Sequence, residues 1–268
     1  VTGGQEFFTP LTFDFLWEAA GLGELPYPLR VRSHGATLDE RSALRRRADN
    51  ELRARGLRDH FGRLEPHVED WFAVLARPTL SVDALHIPDY QQPPVGVLAA
   101  SDGTTGVIAI QTADGIWIRP TFPEGLASAV VDLLPAGKRG TEASITLPVE
   151  EALRIPPNRV PVTPDGEPEP TRARRRTSLS EQVADPRESY ARLAGQPRLR
   201  GGQLAANSFS ELAGRRRSPV LAWFDTASGR YLSLSRPGGD GREWITVAPA
   251  DAKTLRSRLS EMVASVTS

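Results

Sequence analysis

The chain has 268 residues, and its 33 basic and 33 acidic side chains cancel, so no global field draws it to nucleic acid or to an anionic membrane. It contains no Cys, which excludes disulfides, thiolate metal sites and thiol catalysis and fits a reducing compartment. Residues 1–24 lack a basic start followed by an apolar core, and no apolar run approaches the roughly 18 residues of a membrane span. The expected location is the cytoplasm, with no membrane insertion.

In chain order, Phe7–Thr12 begins as an extended segment. Phe13, Leu16, Trp17 and Ala20 then fall at helical spacing, with the helix placed over Asp14–Ala20 and stopped by Gly21 and Gly23. The two prolines of Leu25–Leu29 push the residues before them toward extended geometry, giving a rigid apolar connector. Thr37-Leu-Asp-Glu40 is a capping box, in which the Thr hydroxyl and the Glu carboxylate satisfy each other's free backbone donors. It opens a helix over Asp39–Arg55 that carries Arg45–Arg47 on a solvated face. Glu65–Pro66 opens another helix, with Val68, Trp71, Phe72 and Leu75 inward, and Leu80–Ile87 alternates as a strand.

The stretch Val97–Leu134 has a counterpart beginning at Val220. VLAASDGTTG aligns with VLAWFDTASG without a gap, and Trp117–Ile118 matches Trp244–Ile245 after a longer second turn. Each copy reads as three strands joined by Gly-turns, then a helix opening on Pro and an acidic residue. The first meander spans 95–120 with its helix at 124–134; the second spans 219–247 with its helix at 250–266. Between them lie a strand at Ser144–Leu147, a helix at Pro148–Leu153, and a Pro- and charge-rich linker at 156–177. Then come a second capping box, Ser178-Leu-Ser-Glu181, a helix ending near Gly195, a strand at Gly202–Phe209, and a loop holding Arg215–Arg217. Two copies are too few for a solenoid. The expected fold is therefore α+β and internally duplicated. A central antiparallel sheet of pseudo-twofold symmetry is flanked by helical bundles, and halves 1–155 and 178–268 join in one compact domain. Chance likeness of two meanders is the alternative.

Little of this carries chemistry. The four His residues show no HxH, HExxH or HxxxH spacing, and no GxSxG precedes a helix. No catalytic residue, metal ligand or cofactor site is expected. Gly238–Gly241 joins two strands as a hairpin turn, and Asp102 and Asp225 sit beside matching turns, where Asp bonds its own backbone. The Arg172–Arg176 cluster has no interleaved aromatics, so it is read as solubilising, with no nucleic acid partner.

Closing the second hairpin over Thr226–Gly229 pairs Asp225 with Arg230, Phe224 with Tyr231 and Trp223 with Leu232. One face then carries Leu221, Trp223, Leu232 and Leu234, a core face. The other carries Val220, Ala222, Phe224, Tyr231, Ser233 and Ser235. Mixed aromatic, small and hydroxyl residues suit either a helix from the same chain or an interface with another protein. These six are the candidate partner-binding residues.

Several stretches together resemble the EspG family of type VII (ESX) secretion-associated proteins of actinobacteria. They are FDFLWEAAGLGELPYPLRVRSHG (13–35), LRARGL (52–57), EPHVEDW (65–71) and FDTASGRYLSLSRPGGDGREWITVAPADAKTLRSRL (224–259), the last with its DxxxGR turn and GxEWI strand. The resemblance covers nearly the whole chain except 156–177. It implies a cytosolic, non-enzymatic chaperone with a pseudo-twofold sheet and two helical bundles. Its expected partner is a secreted PE/PPE-like or WxG-type helical heterodimer, whose hydrophobic tip it masks before export, and its expected state is a monomer or homodimer. The rival expectation is a small-molecule binder or enzyme using the cleft between the two repeats.

Overall fold

Among the described residues a single antiparallel sheet of 11 strands organises the fold. The computed structural model describes residues 4–89, 91–155 and 185–268; the 156–177 stretch and the Ser178–Glu181 capping box lie outside them. Strand β1 (Glu6–Phe8) precedes three helices, α1 (Pro10–Ala19), α2 (Leu38–Ala54) and α3 (Pro66–Ala76). Strands β2 (Leu80–Ile87), β3 (Val95–Ser101), β4 (Gly106–Gln111) and β5 (Ile116–Thr121) follow, then a short 3-10 turn and α4 (Leu126–Val131). The chain next forms β6 (Ile145–Pro148) and α5 (Val149–Arg154). The later part holds α6 (Pro186–Ala194), β7 (Arg200–Ser210), β8 (Gly214–Arg217), β9 (Leu221–Thr226), β10 (Gly229–Pro237), β11 (Glu243–Pro249) and α7 (Ala252–Thr267). In space the order is β1-β5-β4-β3-β2-β7-β9-β10-β11-β6, with β8 on β7. Read outward from the β2–β7 contact, both directions give three strands of a meander and then a borrowed edge strand.

Local chemistry sets the helix ends. Helix α1 starts at Pro10, earlier than the expected Asp14, because Pro at the first position gives up only an N–H that would lack a partner anyway. The Thr9 hydroxyl accepts from Thr12 N at 3.2 Å, and the extended segment ends at Phe8. At α2 the Thr37 hydroxyl accepts from Glu40 N at 3.2 Å, but the Glu40 carboxylate reaches past the N-cap and accepts from Ala36 N at 2.9 Å.

The sheet has two unlike faces. On the back face, Val82, Ala99, Ile108, Leu204, Leu221, Trp223 and Leu232 form one continuous core under α4 and α7, to which α7 gives Leu255, Leu259, Met262 and Val266. On the front face the apolar cover is split. Helices α1–α3 bury Leu98, Ala109 and Ile118 at one end. Helices α5 and α6 bury Phe224, Tyr231 and Val247 at the other.

Arg215–Arg217, expected in a loop, are in strand β8. Ser218 explains why: its N donates to Ala206 O at 2.9 Å and its Oγ accepts from Ala206 N at 3.0 Å. Between the pairs Asn207↔Arg217 and Leu204↔Leu221, three steps on one strand oppose four on the other. One extra residue makes this a bulge that lets a single hairpin run on through β8 and β9.

Asp225, expected to serve its own turn, instead anchors the crossover from α4 to β6. Arg230 donates Nε to Asp225 Oδ1 at 2.7 Å and Nη2 to both Asp225 Oδ2 (2.9 Å) and Pro135 O (2.7 Å). Arg200 donates Nε to Asp225 Oδ2 and Nη2 to Ala136 O, each at 2.6 Å. Asp102 does serve its turn, accepting from the backbone N of Thr104 and Thr105.

Candidate partner-binding face

The six candidate residues share the front face, with Tyr231↔Phe224 and Ser233↔Ala222 paired in the anticipated register. They do not share an environment. Phe224 is 7% exposed and Tyr231 0%, and their rings stack at 5.7 Å. Ala152 of α5 and Leu193 of α6 close over them, with Ile145 and Leu147 of β6 in the same cluster on the sheet, and the Arg198 guanidinium lies 4.5 Å from the Phe224 ring centre. The Tyr231 hydroxyl accepts from the backbone N of Thr141 and Glu142, each at 3.1 Å. At this end of the face the chain's own helices supply the cover, so Phe224 and Tyr231 touch a partner only if α5 and α6 leave. Val220 is 41% exposed, and Ala222, Ser233 and Ser235 are half-buried.

Those four residues border a part of the front face lying between the two apolar clusters. Register continues it through Gln203, opposite Ala222, to Leu85, opposite Gln203. Gln203 is exposed and Leu85 half-buried. Farther along β2 and β7 stands a polar cluster that the sequence reading missed. Asp83, with its side chain 6% exposed, accepts from Arg217 Nη1 at 2.6 Å, Arg217 Nη2 at 3.1 Å and Asn207 Nδ2 at 2.7 Å. Asn207 Oδ1 accepts from the same Arg217 Nη1 at 2.6 Å. The hydrogen bonds that Arg217 donates to Asp83 raise its pKa above the ordinary arginine value; burial opposes them, and the Asp83 charge adds to the rise. Tyr27, half exposed on the connector, has its ring centre 5.9 Å from the Arg217 guanidinium. The signal for this cluster was present in β2, where an Asp stands among residues of a central strand.

Open floor, small side chains, one clamped guanidinium and a flanking tyrosine make a surface suited to holding an apolar, shaped object with a few polar anchors. Two grooves lie elsewhere. One, of about 380 Å³, is lined by Leu22, Arg58, Leu64, Glu69 and Phe72. The other, of about 430 Å³, lies among Leu80, Ser101, Glu124, Phe209, Arg216 and Val266. Among the described residues no group of three or more His, Asp or Glu converges as metal ligands, and no helix is long and apolar enough to cross a membrane.

No curated protein matches the chain. Among solved structures it is similar to the Mycobacterium tuberculosis type VII secretion system chaperone EspG5, solved in complex with the PE25-PPE41 dimer. The TM-score is 0.69 at 17% identity, over 98% of this chain and 96% of that one. At that identity the likeness establishes a shared fold: a large antiparallel sheet with flanking helices. The family model described as EspG family matches residues 9–261, and with nearly the whole length covered, the chain belongs to the EspG family.

Proposed function

We propose that this protein is a cytoplasmic, non-enzymatic chaperone of type VII secretion. In this reading it binds a PPE-like helical protein within a secreted heterodimer, masks its hydrophobic tip, and delivers it for export. The observation that carries the reading is the middle of the front face, bordered by Val220, Ala222, Ser233 and Ser235, which no described helix covers. It lies in a fold whose solved relative holds a PE25-PPE41 dimer. An apolar tip needs an adaptable surface rimmed by polar groups, and this floor, which runs through Gln203, is bordered by Ser235 and the Asp83–Arg217 pair. The matching strand order on either side of β2–β7 supports an internal duplication as the origin of the sheet.

The test is co-expression with PE–PPE-type and WxG-type heterodimers from the source genome, followed by size-exclusion chromatography. Co-elution of one heterodimer in stoichiometric amount, lost on Val220→Asp, is the expected result. Failure of every pair to co-elute sinks the reading. A small-molecule role would use the 430 Å³ groove, whose titratable lining groups are Glu124 and Arg216. A ligand-induced thermal shift abolished by filling that groove would favour it.

A further inference from the structure

We infer that Arg217 caps a helix end of the bound partner, donating to the free backbone carbonyls at the C-terminus of a helix in the partner's tip, with Asp83 as the positioning residue. This rests on the reading that the open front face receives a helical protein.

The hairpin of β7 and β8 already performs this operation once, on its back face. Arg216 donates Nη2 to Ser265 O at 3.1 Å, and the Ser208 hydroxyl donates to Val266 O at 2.5 Å. A helix end leaves four carbonyls without internal partners and gathers about half a negative charge. Arg216 and Ser208 satisfy that end of α7. The next residue, Arg217, is turned to the opposite face by the alternation of a strand.

Arg217 has its own geometry fixed in advance. Of the five N–H bonds of a guanidinium, two go to Asp83 and one to Asn207. Nε–H and one Nη2–H have no partner among the described residues. The side chain is 46% exposed, while that of Asp83 is 6% exposed, so the anchor is buried while the arginine keeps access to the surface. A planar fork held this way loses little further entropy when it donates again. The charge of Arg217 is already matched by Asp83, so a second carboxylate would meet an anion only a few ångströms away. Carbonyls at a helix end carry the right sign with only a fraction of a charge.

The probe is the purified heterodimer that co-elutes with the wild-type chain in the experiment above. Arg217→Ala is expected to weaken its Kd by about 10- to 100-fold, and Arg217→Lys, which keeps the charge but loses the fork, by about 10-fold. Asp83→Asn, which keeps the shape but frees the guanidinium, should weaken binding several-fold. Arg217→Lys keeps a cation beside the buried Asp83, and Asp83→Asn leaves only the half-exposed guanidinium without its acid, so both should melt close to wild type. Arg217→Ala leaves the Asp83 carboxylate buried without a counter-ion and should melt lower, so Arg217→Lys carries the test. The Arg217 contribution should persist when salt rises from about 0.05 to about 0.5 M, because screening acts chiefly on paired full charges.

Unchanged affinity in Arg217→Ala and Arg217→Lys, with wild-type binding intact, overturns the inference and leaves the chaperone reading standing. An Arg217 contribution that vanishes at high salt assigns the acceptor to a carboxylate and also overturns it. If no heterodimer binds the wild-type chain, both fall together.

Discussion

Arg230 and Asp225 face each other across the β9–β10 hairpin as a two-point pair, Nε to Oδ1 at 2.7 Å and Nη2 to Oδ2 at 2.9 Å, with the arginine side chain only 1% exposed. The same guanidinium lies 4.6 Å from the Trp223 ring centre. Removing the acid alone leaves a buried cation without its counter-ion. Asp225→Ala should therefore cost about 3–5 kcal/mol in urea unfolding. Adding Arg230→Met should recover much of that loss, because an apolar side chain of similar length needs no counter-ion. Equal losses in the single and double variants would show that the pair is not the cause.

The same crossover depends on a close approach. A Cβ on Gly137 would lie 2.7 Å from the Arg230 Cζ, and the arginine is too enclosed to swing aside. Gly137→Ala should destabilise by about 1–3 kcal/mol through overpacking. Combined with Arg230→Met, the loss should shrink, since a slimmer side chain frees the space. A double-mutant cycle measures this coupling.

His86 makes the stability depend on pH. It stacks on Trp223 at 5.4 Å, facing Arg200, Arg230 and Asp225. Burial first, and then the two arginines, lower its pKa below the ordinary value of 6.5, against the pull of the Gly201 backbone and of Asp225. A group whose folded pKa is depressed contributes stability above its unfolded pKa. That stability is lost as pH falls through the window below about 6.5. The melting temperature should fall over that window in the wild type and fall less in His86→Phe, which keeps the stack without the proton. Asp225 adds a second loss at more acidic pH. Burial would raise its pKa, but hydrogen bonds from Arg230 and Arg200 hold it below the usual carboxylate range. Parallel melting curves for wild type and His86→Phe down to about pH 5 would exclude His86 as the source.

On the front face, stability and binding should separate by residue. Phe224→Ala should cost about 3–5 kcal/mol, as for any large core truncation. Val220→Asp, at an exposed position, should stay within about 0.5 kcal/mol of wild type and still abolish capture of the heterodimer. Denaturant melts alongside co-elution decide it. A stable Phe224→Ala variant, or an unaffected capture by Val220→Asp, would remove these residues from their assigned parts.

Much of the architecture is readable because period and punctuation agree locally. Leu80–Ile87 alternates and is strand β2 over the same residues, and the DxxxGR turn fixes the register of β9 on β10. What the sequence leaves open is which helix covers which face. Phe224 and Tyr231 belong to a mixed face that either a helix or a partner would suit, and the decision falls to α5 and α6, distant in the chain. Asp225 escapes for a like reason. Arg230 stands opposite it in the expected register, but Arg200 and the Pro135–Ala136 carbonyls that complete the anchor come from distant segments, whereas Asp102 in the equivalent turn has no arginine partner among the described residues and serves the backbone. Arg217 is hidden by the Ser218 bulge, because a Ser-Pro step ordinarily marks a loop.

Among the described residues strand β6 pairs only with β11, yet it is made about a hundred residues earlier, before any strand of the sheet portion it completes. During synthesis Ile145 and Leu147 therefore leave the ribosome with their future neighbours still untranslated. The first half emerges one strand in surplus, and the second is born one strand short. Folding cannot finish as two successive local events; it must close by joining the ends of a long separation, which slows it. A chain built this way passes through a nascent stage with an apolar strand of its own in need of cover.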